Sequence, residues 1–517
     1  SYQVQIMPNQ HLQLHQLSGD VWLENDWQKH QLHQIKNSAE LTTTMSSAKP
    51  FGNSIYLLSI ILSLSTFLTS TLLFLRGRLQ NHSGILWVLS LILLGIGNLI
   101  LLQLAIGGLN ERFLNLAKTF LIISCAYPLL MLILGILPLA FIQRSIHILF
   151  YIRQIQDSHR DEYSTYRDYL RQRSREFSFY IQSGFKFGLI SYFLLIAMQA
   201  VGGLESGVGG YQPVELSKFI VIFMSTLSAA QFFEQRYLNA YSEHDERWWR
   251  LQQTAQLFIG LILIVLFTAF MLAIVRDFSP IMLIFLYLLL FSFRILPNPI
   301  DGSYSASGKI LRLLLIVIAA IPAAILIYTK LYAAPAFLMN ADRFLVWANP
   351  QLYPHSGSQV LASMTLIANS SLLGVEHWFD HNSSEIMQLP AVQDDFIATF
   401  LIYQFGYLPA LGLLSIQLLF IYQLHKLSLN LLHFQLPETS GNLARQFGYS
   451  GSLFCFGFAG LLMAHWLISW SNVLGLLPIM GQPMALLSSG GSNLLLFVIP
   501  CLLISFCFAW IKEQKNN

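Results

Sequence analysis

The chain has 517 residues, 55% of them hydrophobic and 11% charged, with a net charge of +3 and a mean hydropathy of +0.55. Soluble globular domains carry about 25% charged residues, so this composition excludes an ordinary water-soluble domain and points to a lipid-facing one. The four cysteines, Cys125, Cys455, Cys501 and Cys507, all lie in apolar runs, which argues for buried thiols and against a disulfide framework.

In chain order, residues 1–50 are polar with partial strand-like alternation (Leu12, Leu14; Val21, Leu23) and predict a short β-rich tail. Its histidines, His11, His15, His30 and His33, lack the Cys or close carboxylates that complete a metal site, so they read as a solvated polar face. A helix crossing ~30 Å of hydrocarbon needs about 20 mostly apolar residues. Eleven stretches approach that: 54–75, 85–107, 115–141, 186–203, 213–235, 253–275, 279–296, 310–329, 396–424, 448–471 and 487–511. The expected fold is therefore an all-α polytopic membrane protein. Between spans, 144–185 reads as a cytoplasmic connector forming an amphipathic helix, with mixed charge and interleaved Tyr and Phe suited to an anionic leaflet. Residues 330–395 are too polar to cross, and loops of that length are usually functional.

Lys and Arg set the orientation. One set of connections carries twenty, among them Arg76, Arg78, Arg144, Arg167, Arg171, Arg173, Arg175, Arg247, Arg250, Lys426, Arg445 and Lys512. The alternate set carries four: Arg112, Arg276, Lys330 and Arg343. The rich side, with the C-terminal tail 512–517, is expected to be cytoplasmic. An odd number of spans then places the N-terminal tail and the 330–395 loop in the periplasm.

The segment Gly475-Leu-Leu-Pro478-Ile-Met-Gly481-Gln-Pro483-Met-Ala-Leu-Leu-Ser488-Ser489-Gly490-Gly491-Ser492 cannot be helical: its prolines remove donors and its glycines permit positive φ. At membrane depth such backbone is tolerated only when buried in protein or lining a wet cavity. It resembles the signature G-x-L-P-x-x-G-x-P-L-P-x-x-S-Y-G-G-S of the SEDS family (the FtsW, RodA and SpoVE type), departing at Ala485 and Ser489. Gln212-Pro-Val-Glu215-Leu-Ser-Lys218 is similar to the family's Q-P-S-E-x-x-K, with Glu215 and Lys218 on one helical face. Leu389-Pro390 with Asp395-Phe-Ile and Gly406 looks like L-P-x-x-x-T-D-F-I…E-E-L-G, although Asp394 stands for Thr, and Tyr403 and Gln404 for the acidic pair. Asp277 falls where the family has P-D-L-G, with Arg276 and Phe278 flanking it instead.

The large loop departs most. The family places an Arg six residues before one Asp-Pro and follows with a second, whose Asp is held to be catalytic. Here the run is Arg343…Asn349-Pro350-Gln-Leu-Tyr353-Pro354-His-Ser-Gly357, so Arg343, both prolines and Gly357 persist while Tyr353 occupies the catalytic position.

The resemblance covers roughly 85–511 and implies a ten-helix core, preceded by one extra span within 51–84. It implies a role in peptidoglycan assembly at the bacterial inner membrane, in cell shape or division. The expected ligand is lipid II or a related undecaprenyl diphosphate-linked sugar, the expected partner a single-span penicillin-binding transpeptidase, and no nucleic acid is involved. The residues carried over for binding are Arg343, Glu215, Lys218, Gly357, Pro478, Gly481, Ser488, Gly490 and Gly491. Arg343 and Lys218 suit a diphosphate. An unperturbed phenol has a pKa near ~10, so Tyr353 is a poor base and Asp395 is the alternative carboxylate. Glu376-His377 with Asp380-His381 spaces two histidines one helical turn apart, a pattern open to a divalent cation such as Mg or Mn; a solvated helix end explains the same letters. Three readings stay open: an active glycosyltransferase, an inactive scaffold or regulator of the transpeptidase, and a lipid-linked-sugar flippase, which no visible inverted repeat supports.

Overall fold

A computed structural model describes residues 13–17, 20–25, 28–32, 82–108, 166–202, 213–238, 262–263, 266–267, 279–295, 313, 316–317, 324–325, 328, 342–353, 356–374, 389, 392–432, 441–478, 480–488, 496–498, 500–501 and 504. The expected spans 54–75 and 115–141, the motif residues Asp277, Gly490 and Gly491, and the His377/His381 pair lie outside the described residues.

The tail carries an antiparallel meander, β1 (Gln13–Leu17), β2 (Asp20–Asn25) and β3 (Gln28–Leu32). Its register opposes Leu14 to Leu23 and Val21 to Leu32. The remainder is helical: α1 (His82–Gly108), α2 (Tyr166–Gly202), α3 (Pro213–Leu238), α4 (Ser279–Ile295), α5 (Asp342–Ala348), α6 (Ser356–Ala368), α7 (Ile397–Phe405), α8 (Tyr407–Leu432) and α9 (Gly441–Val473). Among the described residues three helical stretches are long and apolar enough to cross a membrane: Ile181–Met198, Tyr407–Leu431 and Ser450–Val473.

α9 is the central element, packed against α3, α4, α6, α7 and α8. Small residues make this close approach possible, as is usual between membrane helices. A methyl on Gly457 would sit 3.1 Å from Tyr287 Oη and 3.3 Å from Ile222. The Tyr287 hydroxyl in turn shares a 2.5 Å hydrogen bond with Ser225 of α3. α2 leans on α3 through Gly184 and Gly188, where Leu227 and Met224 fill the space a side chain would take. Outward faces stay apolar and exposed, with Phe187, Ile190 and Leu194 on α2 and Leu408, Leu411 and Leu418 on α8. That is the pattern of a lipid-facing surface.

Two segments differ from the expected spans. The amphipathic helix expected in the 144–185 connector is helical from Tyr166, but it does not end before the span at 186–203: the two are one continuous helix, α2. The single span predicted over 396–424 is two helices, because Gly406 (φ +95) closes α7 and redirects the chain. The cause is backbone packing. The 371–374 turn hydrogen-bonds across to Tyr407 N and Leu408 N, and a methyl on Gly406 would lie 2.3 Å from Gly374 N.

Candidate functional site

The site begins where α3 begins. Pro213 opens the helix, where its missing N–H costs nothing, and Glu215 falls in the first turn, where the helix dipole favours an anion. One turn on, Lys218 reaches back to it, Nζ to Oε1 at 2.6 Å. Both side chains are almost fully buried. A buried pair of this kind holds only when its remaining donors find partners. Lys218 Nζ donates to Gln482 Oε1 at 2.7 Å and faces His465 Nε2 of α9 at 3.5 Å. Glu215 Oε2 has no hydrogen-bond partner among the described residues.

The described part of the final stretch, 475–478 and 480–488, is non-helical, in keeping with its prolines and glycines. α9 ends at Val473 and is capped by Gly475 (φ +67), whose N–H bonds Asn472 O while Leu476 N–H bonds Ser471 O at 2.8 Å. That crossed pair is the Schellman form of helix stop. The chain then passes through Pro478, buried, and Gly481 (φ +59), exposed. It tightens into a turn at 484–488 in which buried Leu486 takes φ +66, at a cost on the order of 1 kcal/mol for an L-residue. Several bonds hold this strain. Trp466 Nε1 donates to Ala485 O, Leu487 N and Ser488 N both donate to Met484 O, and Ser488 Oγ accepts from Met484 N while donating to Asp394 O. Strained backbone fixed so completely is typical of functional segments.

The large loop meets this stretch at three points. Trp347 Nε1 of α5 donates to Gly475 O at 2.8 Å, and Ser488 binds the Asp394 carbonyl. At Gly481, a methyl would lie 3.5 Å from Arg343 Nη1 and 3.9 Å from Asp395 Oδ2. A cation and a carboxylate therefore flank one exposed, side-chain-free backbone position. Asp395 is pushed up to about 7, first by burial and then by the neighbouring Asp394 charge, while the Arg343 charge pulls it back down. An acid in that range changes protonation near neutrality.

Sequence-predicted residues thus sort clearly. Glu215, Lys218, Arg343, Asp395, Gly481 and Ser488 belong to one connected region. Tyr353 is half-buried and ends a short 3-10 turn (Pro350–Leu352); its N–H bonds Pro350 O and its carbonyl accepts from Gly357 N. Gly357 is a packing position, since a methyl there would fall 1.9 Å from Pro350 O. Sequence reading passed over His465 and Gln482. A lone histidine within an apolar span is the available signal for the first; Gln482, between Gly481 and Pro483, carries no distinguishing signal. Among the described residues no three His, Cys, Asp or Glu converge as metal ligands.

Comparison with known proteins identifies the family. Residues 177–508, more than half of the chain, match the FtsW/RodA/SpoVE family model described as "Cell cycle protein". The peptidoglycan glycosyltransferase RodA of Treponema pallidum (strain Nichols) is 27% identical over 153 residues, 29% of this chain and 32% of the relative. The probable peptidoglycan glycosyltransferase FtsW of Riesia pediculicola (strain USDA) is 26% identical over 260 residues, 50% of this chain and 61% of the relative. The matches thus span about a third to three-fifths of those relatives. The solved structure of the Thermus thermophilus rod shape determining protein RodA is 16% identical, covering 84% of this chain and 97% of that one at a TM-score of 0.41. By its family match, this chain belongs to the FtsW/RodA/SpoVE, or SEDS, family of membrane proteins.

Proposed function

We propose that this chain works in peptidoglycan glycan assembly, holding lipid II or a related undecaprenyl diphosphate-linked sugar at the periplasmic mouth of an eleven-helix bundle in the bacterial inner membrane. One observation carries the reading: Arg343 and Asp395 converge on exposed Gly481. Glycan transfer needs a base for the proton of the attacking sugar hydroxyl and a cation for the departing diphosphate. Arg343 supplies the second, its planar fork suited to phosphate oxygens. Asp395 is the carboxylate placed to supply the first, a contribution of typically 10²–10⁴-fold. The bare backbone at Gly481 lets the ligand approach both. A penicillin-binding transpeptidase is the partner that would cross-link the product.

Tyr353 favours a second reading, in which the chain binds the lipid carrier and regulates the transpeptidase without catalysis. Labelled lipid II incubated with the purified full chain, with Asp395→Asn and with Tyr353→Asp separates the two. Polymer from wild type that disappears in Asp395→Asn is the expected result. Polymer appearing only in Tyr353→Asp would select the scaffold reading, and failure of wild type to bind lipid II would end both.

A further inference from the structure

Lysine has three N–H donors and no acceptor. For Lys218, 2% exposed, three acceptors stand around Nζ: Glu215 Oε1 at 2.6 Å, Gln482 Oε1 at 2.7 Å and His465 Nε2 at 3.5 Å. The geometry also fits one histidine tautomer, assigned from its two neighbours. Nδ1 of His465 faces Pro483 O at 3.4 Å; a carbonyl only accepts, so Nδ1 carries the proton and the Nε2 lone pair faces the ammonium. A diphosphate could engage this lysine only by stripping it of buried acceptors, each left without a donor at substantial cost.

We infer that Lys218, His465 and Gln482 form a positioning hub and not part of the diphosphate-binding surface. The hub ties the start of α3 to the C-terminal third of α9 and to the final stretch on the C-terminal side of Gly481, at Gln482 and Pro483. It thereby sets where Gly481 stands between Arg343 and Asp395. His465 and Gln482 are positioning residues for that opening, Lys218 is their common donor, and Arg343 is the cation that meets the ligand. This rests on the lipid-diphosphate reading given above.

The test uses the full chain in nanodiscs, with undecaprenyl diphosphate and undecaprenyl monophosphate as probes. A phosphate ligand contributes more to the diphosphate, so its loss narrows the ratio of the two affinities. Arg343→Gln is expected to narrow it. Lys218→Met and His465→Phe are expected to weaken both probes by about tenfold, roughly 1.4 kcal/mol, and leave the ratio unchanged; His465→Gln, which keeps an acceptor, recovers most of the loss. A ratio that narrows in Lys218→Met as in Arg343→Gln overturns the hub while the functional reading stands. If wild type binds neither lipid, that reading fails and the hub is judged without ligand. Nitrogen NMR of His465 is then expected to report the Nδ1–H tautomer, with an Nε2 shift that moves in Lys218→Met; an unmoved signal refutes it.

Discussion

Gly481→Ala isolates ligand approach from folding. A methyl there meets Arg343 Nη1 at 3.5 Å and Asp395 Oδ2 at 3.9 Å, ordinary contact distances, so packing tolerates it. The conformational penalty at φ +59 is about 1–2 kcal/mol. The methyl nonetheless fills the exposed gap between the two charged groups. A ligand oxygen held away from Arg343 loses a charge-assisted hydrogen bond of about 1.5–3 kcal/mol, or roughly 10–100-fold in affinity. Gly357→Ala is the internal contrast, because its methyl would fall 1.9 Å from Pro350 O and force the chain apart at about 3 kcal/mol or more. Thermal unfolding in detergent and lipid II binding, measured on both variants, distinguish the cases. Gly481→Ala is expected to fold with a modest loss and bind poorly, and Gly357→Ala to be the less stable. Wild-type lipid II affinity in folded Gly481→Ala would refute the placement of the ligand.

Four further outcomes follow from the same geometry. Because only the carboxylate accepts a proton, transfer activity is expected to rise as pH passes through about 7, the range to which Asp395 is raised, and this rise is expected to vanish in Asp395→Asn. The stability effect has the opposite sense: from the ordinary carboxylate range near ~4 up to about 7 the folded chain holds a proton that the unfolded chain has released, so the Asp395 contribution falls as pH rises; Asp395→Asn is expected to raise Tm more at pH 8 than at pH 5. Ser488→Ala strands Met484 N–H and Asp394 O, a loss of about 1–3 kcal/mol read as a lower Tm. Gly406→Ala combines φ +95 with a 2.3 Å backbone clash and is expected to cost more than Gly481→Ala in the same assay.

Composition and spacing determine much of this protein on their own. Twenty apolar residues in a row require helix where no water can satisfy the backbone, and Pro478 and Pro483, which lack the N–H a helix needs, oppose its continuation after α9. Glu215 and Lys218 share a helical face through local periodicity alone. Other features needed distant contacts. Whether residues 396–424 form one helix or two depends on Gly374 lying beside Gly406, a meeting no local pattern encodes. Nor does any spacing show that Lys218 is enclosed by acceptors 247 and 264 positions away. The placing of Arg343 and Asp395 beside Gly481 is likewise tertiary, because three segments far apart in the chain must arrive together before charge and bare backbone make one site.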